Sequence, residues 1–377
     1  MKNEAFVVHQ TVRKATPTHT DKTTPSLLLV LIQRLFVFSA LLVSFVTQAN
    51  WNNPYPTVEE NDNILYSAFS ARPKFLDPAR SYDESEYQFL GQIYEPPLSY
   101  HYLHRPYRLQ AQTLTAMPKI IHLDDQGKQI DGDADNVAFT EYHLSLQQGI
   151  LYQPHPALAK DTNGNYRYHQ LTAAETAKIK TLSYLEHTGT RELVAEDYVY
   201  QIKRLANPAL HSPISHLMQE YIVGLKALHD TLKANPATDL RTHTISGVSA
   251  NSPHELVIRI KGQYPQFIYW LAMPFFAPMP WEADVFYAQA GLAKNNINLH
   301  WYPIGTGAYM LTENNPNLRM VLEKNPNFRE QTYPSDGEIG DKEKGLLDDA
   351  GKKIPFIDKA VFTLEKESIP YWNKFLQ

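Results

Sequence analysis

Hydrophobic spacing changes character repeatedly along this chain of 377 residues and never settles into a fixed period. Glu255-Leu256-Val257-Ile258-Arg259-Ile260 alternates as a half-buried strand does, and 138–146 does the same before Gln147-Gln148-Gly149 turns the chain. Between them 195–205 follows a helical period, with Tyr198, Ile202 and Leu205 on one face and Glu196-Asp197 at the start, where acidic groups suit the helix dipole. Interleaved helices and strands without a repeat predict an α/β or mixed α+β fold and exclude a solenoid. The same reading predicts a strand over 64–69 and helices over 81–90, 172–182, 215–232 and 265–273. The first of these helices places Tyr87, Leu90, Ile93 and Tyr94 on one face and stops at Glu95-Pro96-Pro97, and 108–117 reads as connecting structure.

Near the start, an uncharged apolar run of 12 residues, 35–46, is followed by Thr47-Gln48-Ala49 and a polar, Pro-containing stretch. This is the layout of a secretory signal peptide spanning 1–49, with an exposed arm over 50–63 after it. At ~1.5 Å per residue the run spans ~18 Å, short of the ~30 Å hydrocarbon core. Extending it back through 27–32 encloses Arg34, which is the alternative of an uncleaved anchor; the long stretch before it fits a start downstream of Met1.

The chain has no cysteine, which rules out disulfides, thiolate ligands, a cysteine nucleophile and the lipidated cysteine of a lipoprotein. Stability must come from the core, for which 43% apolar residues are ample. The net charge is −5, and with the basic leader set aside 30 Lys and Arg face 38 Asp and Glu. No clustered basic footprint for nucleic acid follows from that balance. The 23 Tyr and 26 Pro predict ordered, Pro-punctuated connections and aromatic-lined surfaces.

Enzyme signatures fail at positions that their mechanisms need. Gly305-Thr306-Gly307 lacks the third glycine of a dinucleotide loop, since Met310 stands there. Gly247-Val248-Ser249-Ala250 lacks the closing glycine of a nucleophile elbow, which is Asn251. Asp131, Asp133 and Asp135 are spaced as in a calcium loop, but Asn136 and Tyr142 replace its glycine and bidentate glutamate; Asp161, Asn163 and Asn165 fail likewise at Tyr166 and Thr172. The pairs His101 with His104 and His155 with His169 have neither HExxH spacing nor a carboxylate motif nearby, so no metal and no cofactor is expected.

Four stretches, in order, resemble the family 5 solute-binding proteins, the peptide- and nickel-binding components of ABC importers. The first is Ile64-Leu65-Tyr66-Ser67-Ala68-Phe69 with Leu76-Asp77-Pro78-Ala79 and Ile93-Tyr94-Glu95-Pro96-Pro97-Leu98, similar to an opening strand, an "LDP" loop and an "LYEGL" helix end, with Pro97 in place of the usual Gly. The second runs from Tyr142 to His155 and is similar to the family's strand, "GV.F" turn and hydrophobic exit. Leu193-Val194-Ala195-Glu196-Asp197-Tyr198-Val199-Tyr200-Gln201-Ile202-Lys203-Arg204 resembles "LTAEDVVYSIKR" and is the most specific of the four. The last is Tyr302-Pro303-Ile304-Gly305-Thr306-Gly307-Ala308-Tyr309 with Glu323-Lys324-Asn325-Pro326-Asn327-Phe328, similar to "PVGTGPY" and "RNPNYW". Each also reads structurally: Gly305 and Gly307 suit backbone conformations that side chains forbid, Thr306 closes a turn, and Asn325-Pro326 ends an edge strand.

The resemblance implies a two-lobe periplasmic binding protein fold of type II (class C), α/β or mixed α+β. It divides the chain into a first lobe at 61–90 and 193–356, a small inserted domain at 91–192, and the start of a second lobe at 357–377, the rest of which lies beyond Gln377. It implies a non-catalytic, periplasmic monomer, not a lipoprotein, that binds oligopeptides or dipeptides and hands them to permease subunits of an ABC transporter, with no nucleic-acid partner. Its relatives also carry nickel complexes, haem, opines or sugars, and the residues here do not choose among them. Candidate ligand contacts are Tyr66, Ser67, Ala68 and Phe69 at the end of the first strand, and Trp301, Tyr302, Gly305 and Thr306. The charged stretch 335–353 reads as a solvated loop. Two other readings stand beside this one: a sensor, scaffold or non-binding remnant, and a secreted hydrolase with an unrecognised carboxylate site.

Overall fold

The computed structural model describes residues 63–367 and Trp372; the expected signal peptide, the arm up to residue 62 and, apart from Trp372, the helix start expected over 369–376 lie outside the described residues. The first half of the described chain runs β1 (Ile64–Phe69), α1 (Glu84–Ile93), β2 (Leu98–Tyr100), β3 (Leu109–Ala111), β4 (Lys119–Leu123), β5 (Gln129–Ile130), β6 (Phe139–Ser145), α2 (Ala173–Lys178) and α3 (Ala195–Leu205). The second half runs α4 (Ser215–Tyr221), α5 (Leu225–Ala234), β7 (Val248–Ser252), β8 (Glu255–Lys261), α6 (Phe267–Trp270), α7 (Trp281–Tyr287), α8 (Ala290–Lys294), β9 (Tyr309–Asn315), β10 (Arg319–Lys324), β11 (Gln331–Thr332), β12 (Lys353–Ile354) and β13 (Lys359–Leu364). The mixed α/β expectation holds.

Two sheets organise these elements. One has the order β1-β13-β10-β9, with β1 parallel to β13 (Ile64 opposite Lys359 through Phe69 opposite Leu364) and the other pairs antiparallel. The other is antiparallel, in the order β5-β4-β6-β8-β7, and its central register sets Tyr142 opposite Ile258 and Leu144 opposite Leu256, all four buried. That sheet joins strands from both sides of the boundary expected at 192/193. Likewise β13, expected to open a second lobe, hydrogen-bonds between β1 and β10 in the first sheet.

Helix α3 packs on β7 and β8, and every residue of it except Glu196 is buried, including Asp197, Lys203 and Arg204. A charge in such a place needs partners. Arg204 donates from Nη1 and Nη2 to Asp77 (2.9 and 2.8 Å) and from Nε to Asp284 (2.8 Å). Burial alone would raise the Asp77 carboxyl; the charge and hydrogen bonds of Arg204 outweigh it and hold Asp77 below the usual carboxylate range. Arg191 bridges Asp197 (2.6 Å) and Glu282 (2.7 Å), and Arg329 pairs with Glu95 (2.7 Å), whose Oε2 also accepts from Thr306 Oγ1 (3.0 Å). Three of the four stretches singled out in the sequence therefore meet through buried polar contacts: an ion pair of Asp77 with Arg204, and a hydrogen bond from Thr306 of the Gly305–Gly307 turn to Glu95.

Several expectations shift in physical detail. Helix α1 begins at Glu84 because Asp83 caps it and Glu86 reaches back to the cap, and its buried face is Phe89, Leu90 and Ile93, while Tyr87 points to solvent. The single helix expected over 215–232 is two, α4 and α5. Gly224 takes a left-handed φ of 82° between them, and Val223 N–H donates to Arg259 O (3.1 Å), which an apolar spacing does not reveal. Helices α2 and α6 are shorter than expected, and β2, β3 and β4 arise where the sequence offered no clear alternation. Gly305 and Gly307 are not in left-handed conformations; a Cβ on either would overlap the carbonyls of Ile93 or Gln92, so closeness to α1 demands them. Asn325 ends β10, which is a central strand and not an edge, and its Nδ2 donates to Gly307 O (2.9 Å).

Candidate functional site

Parallel strands β1 and β13 end together at Phe69 and Leu364, and the β9–β10 turn joins them there, as Glu365 N–H donates to Phe69 O (3.0 Å) and Leu364 N–H to Leu318 O (2.9 Å). Open α/β sheets present ligand crevices beyond the carboxyl ends of their strands. The loop after β1 crosses this end and meets the second group of expected residues: Leu76 N–H donates to His300 Nδ1 (2.8 Å), and Asn314 Nδ2 on β9 donates to Trp301 O (2.9 Å). Residues 66–69 and 301–302 therefore converge on one end of the sheet although more than 200 positions separate them.

The loop is held rigidly. The Glu86 carboxylate, 2% exposed, accepts from the backbone N–H of Lys74 (3.0 Å), Phe75 (2.7 Å), Tyr82 (3.1 Å) and Asp83 (3.3 Å) and from Ser81 Oγ (2.7 Å). Asp77, tied to Arg204, fixes its middle. This support carries an aromatic platform: Phe75 lies 5.5 Å from His300 between ring centroids, His300 lies 6.2 Å from Trp301, and the Arg80 guanidinium sits 4.2 Å over Phe75. Because Nδ1 of His300 accepts from Leu76, its ring proton resides on Nε2. Burial first, and then the nearby Arg80, push its pKa below the ordinary value, so the ring is a neutral donor at pH 7.

A crevice of about 10 Å³ opens between Pro73, Leu76, His300, Trp301, Asn314 and Pro316, roughly one water in size. Asn314 Oδ1 is buried there with no hydrogen-bond partner among the described residues, while its Nδ2 is committed to Trp301. A buried acceptor without a donor is costly, and an N–H or water entering the crevice would relieve it.

Of the expected contacts, Tyr66, Ser67, Ala68, Trp301 and Tyr302 are partly exposed. Phe69 is 4% exposed and packs edge-on against Phe89 at 5.9 Å, behind the site, whereas Gly305 and Thr306 are buried against the end of α1, toward the other end of the sheet, and are not brought to it. Glu86, His300 and Asn314 were not singled out from the sequence; the Asp83-x-x-Glu86 capping box was a signal for the first, and no local pattern marks the others.

A second cavity, of about 640 Å³, lies at the opposite end of the first sheet, between Tyr309, Phe356 and the 101–107 and 331–336 loops. Its rim is aromatic, with Tyr102 at 5.7 Å from Tyr333 and Tyr333 at 6.0 Å from Phe356. The 335–353 stretch, expected as a free solvated loop, is docked here through His104 to Glu338 and through Arg105 to the buried Asp341. Histidines 155 and 169 are engaged by backbone and Tyr287: His155 Nδ1 accepts from Ala157 N–H, His155 Nε2 meets Tyr287 Oη, and His169 Nε2 meets Ala157 O. Asp161 Oδ1 accepts the N–H groups of Asn163 and Asn165 in a tight turn. No helix among the described residues is long and apolar enough to cross a membrane.

Residues 187–364 match the model of the bacterial extracellular solute-binding proteins, family 5, middle region. The chain is 31% identical over 137 residues to the periplasmic oligopeptide-binding protein OppA of Salmonella typhimurium, covering 36% of this chain and 23% of that protein. Among solved structures it resembles the murein tripeptide binding protein MppA of Escherichia coli (TM-score 0.50, 16% identity, 84% of this chain and 44% of that one). It also resembles OppA of Listeria monocytogenes bound to peptide (TM-score 0.51, 14% identity, 84% and 45%). The chain thus spans less than half the length of these relatives, and the structural likeness is one of fold.

Proposed function

We propose, from the premise that residues 187–364 belong to the family 5 extracellular solute-binding proteins, that this chain is a periplasmic component of an ABC importer that binds short peptides non-covalently. Members of that family are non-enzymatic, periplasmic binding proteins that work with ABC permeases, and the proposal extends those properties to this chain: export through the leader at 1–49, a monomeric state, no reaction and no nucleic-acid partner.

The observation that carries the reading is the convergence of 66–68 and 301–302 at the carboxyl ends of β1 and β13, around an unpaired acceptor. An extended peptide presents N–H groups at regular intervals, and recognition of its backbone leaves side chains free to vary. Asn314 Oδ1 and His300 Nε2–H offer one acceptor and one donor, and Phe75, Trp301, Tyr302 and Tyr66 offer apolar faces for ligand side chains. The crevice has room for about one water, which can bridge a peptide group to Asn314.

Calorimetric titration of the full chain with defined tri- to pentapeptides, free amino acids and sugars tests this. Saturable heat with peptides alone is expected, weakened at least tenfold by Trp301→Ala or Asn314→Leu. Saturable binding of sugars or amino acids with no response to peptides would overturn it, as would peptide binding indifferent to both substitutions.

A further inference from the structure

Two histidines from the β2–β3 connection and a carboxylate from the distant 335–353 loop come together at the rim of the larger cavity. His101 Nε2 lies 3.4 Å from Asp336 Oδ1, and His104 Nε2 lies 3.2 Å from Asp336 Oδ2. The two imidazole rings are 4.1 Å apart between centroids, and one ligand atom from each of the three residues lies within 4.8 Å of the others. From this geometry we infer that His101, His104 and Asp336 form a binding site for one divalent transition-metal ion of the zinc class. The inference is independent of peptide binding, since the peptide surface is at the other end of the sheet.

Three features point to a cation, and one hydrogen bond, from Leu103 N–H to His101 Nδ1, is given up for it. Metal–ligand distances of about 2.0–2.1 Å in a tetrahedral site imply ligand–ligand edges of about 3.3 Å, close to the two His–Asp separations present. His104 Nδ1 lies 2.8 Å from Glu338 Oε1, the carboxylate–histidine arrangement that fixes a ligating ring with its proton on the outer nitrogen and Nε2 free for the metal. His101 Nδ1 accepts a 3.2 Å bond from Leu103 N–H; metal binding at Nε2 moves the ring proton to Nδ1 at the cost of that long bond. Finally, Asp336 and Glu338 together bring two negative charges against two imidazoles, while Arg105 is already committed to Asp341, so a dication neutralises the cluster.

Two nitrogens and one oxygen suit zinc, copper or nickel and do not suit magnesium or calcium. The ligand side chains His101 and His104 are 9% and 15% exposed and Asp336 is 69% exposed, which gives an entry path. The remaining coordination position faces the cavity or solvent. An ion here would tie the 335–353 loop to the 101–107 loop, so binding should slow tryptic cleavage at the exposed Lys342 and Lys344.

The test uses untagged full chain, stripped with chelator and dialysed against zinc chloride with magnesium in excess. One zinc per chain is expected, with visible bands of tetrahedral coordination when Co²⁺ replaces it and with protection of Lys342 and Lys344 from trypsin. His101→Ala, His104→Ala and Asp336→Asn should each weaken binding at least 100-fold, and Glu338→Gln between about 10- and 100-fold. His216→Ala, at an exposed helical His–Glu pair, should change nothing. Circular dichroism of the zinc-free variants separates loss of a ligand from loss of fold. Zinc binding unchanged in His101→Ala and His104→Ala variants, or none in the wild type, would overturn the assignment and leave His104 as a proton-bridged link between the two carboxylates.

Discussion

Replacing Asp77 by alanine removes one of the two carboxylates around Arg204, and the cost follows from what remains. Arg204 is 1% exposed and makes five hydrogen bonds: two to Asp77, two to Asp284 (2.8 and 3.3 Å) and one to Gln201 (2.9 Å). Loss of Asp77 strips two of the five and leaves the cation facing Asp284, whose side chain is 33% exposed and partly screened by water. Charge-assisted hydrogen bonds contribute about 1.5–3 kcal/mol each, and breaking a buried pair costs about 3–5 kcal/mol, so the two routes agree on about 3–5 kcal/mol. Urea denaturation at pH 7 reads this as a fall in midpoint at constant slope. The double variant Asp77→Ala with Arg204→Met should recover much of the loss, because no charge is then left buried without a partner. Lys226→Ala, in the exposed pair with Asp230, should cost no more than about 0.5 kcal/mol. A loss below about 1 kcal/mol for Asp77→Ala, or additive losses in the double variant, would refute the buried-charge argument.

Burial holds His155 neutral with its pKa pushed down to about 3, against 6.5 for the free side chain. Because the unfolded chain takes up the proton first, stability is fully present above pH 6.5 and falls as pH drops toward 3, by up to about 1.4 kcal/mol per unit. Between pH 7 and 5 the wild type should lose about 2 kcal/mol more than His155→Gln in urea titrations, and equal losses would refute the assignment. Glu86→Gln places an amide N–H₂ against donors and should cost at least about 2 kcal/mol, with faster hydrogen exchange at Lys74, Phe75 and Tyr82; unchanged exchange there would show that Glu86 does not hold the loop. Gly305→Ala forces a Cβ against the Ile93 carbonyl and should lower stability by about 1–3 kcal/mol or more in thermal denaturation, whereas Gly127→Ala, with open space around it but a φ of 78°, should cost about 1 kcal/mol from backbone strain alone.

Local patterns carried the fold where one face of an element is decisive. The strand at 64–69 and the helix at 195–205 appear with the bounds expected, since a short apolar run in one and a 3.6 period with an acidic start in the other leave little choice. The break at Gly224 and the short α6 were not legible, because what ends those helices is a contact with β8 or a compact turn and not a residue pattern. The candidate site divides the same way. Trp301 and Tyr66 were visible as aromatics in distinctive segments, but His300 and Asn314 gain their meaning only when the loop after β1 reaches them. The His101 and His104 pair has no carboxylate motif within its local sequence; chain folding supplies Asp336 and Glu338 from more than 230 residues away. Glycines 305 and 307 are expected for backbone conformations closed to side chains, and Gly305 also as a ligand contact; what demands glycine there is space against the Ile93 and Gln92 carbonyls and not a dihedral angle.

Hydrogen exchange of the full chain, followed by mass spectrometry with and without a saturating tetrapeptide, tests most directly where ligand binds. The account predicts peptide-dependent protection over 66–76, 298–302 and 312–316, and none over 101–107 or 331–356. Protection confined to the latter segments, around the larger cavity, would contradict it.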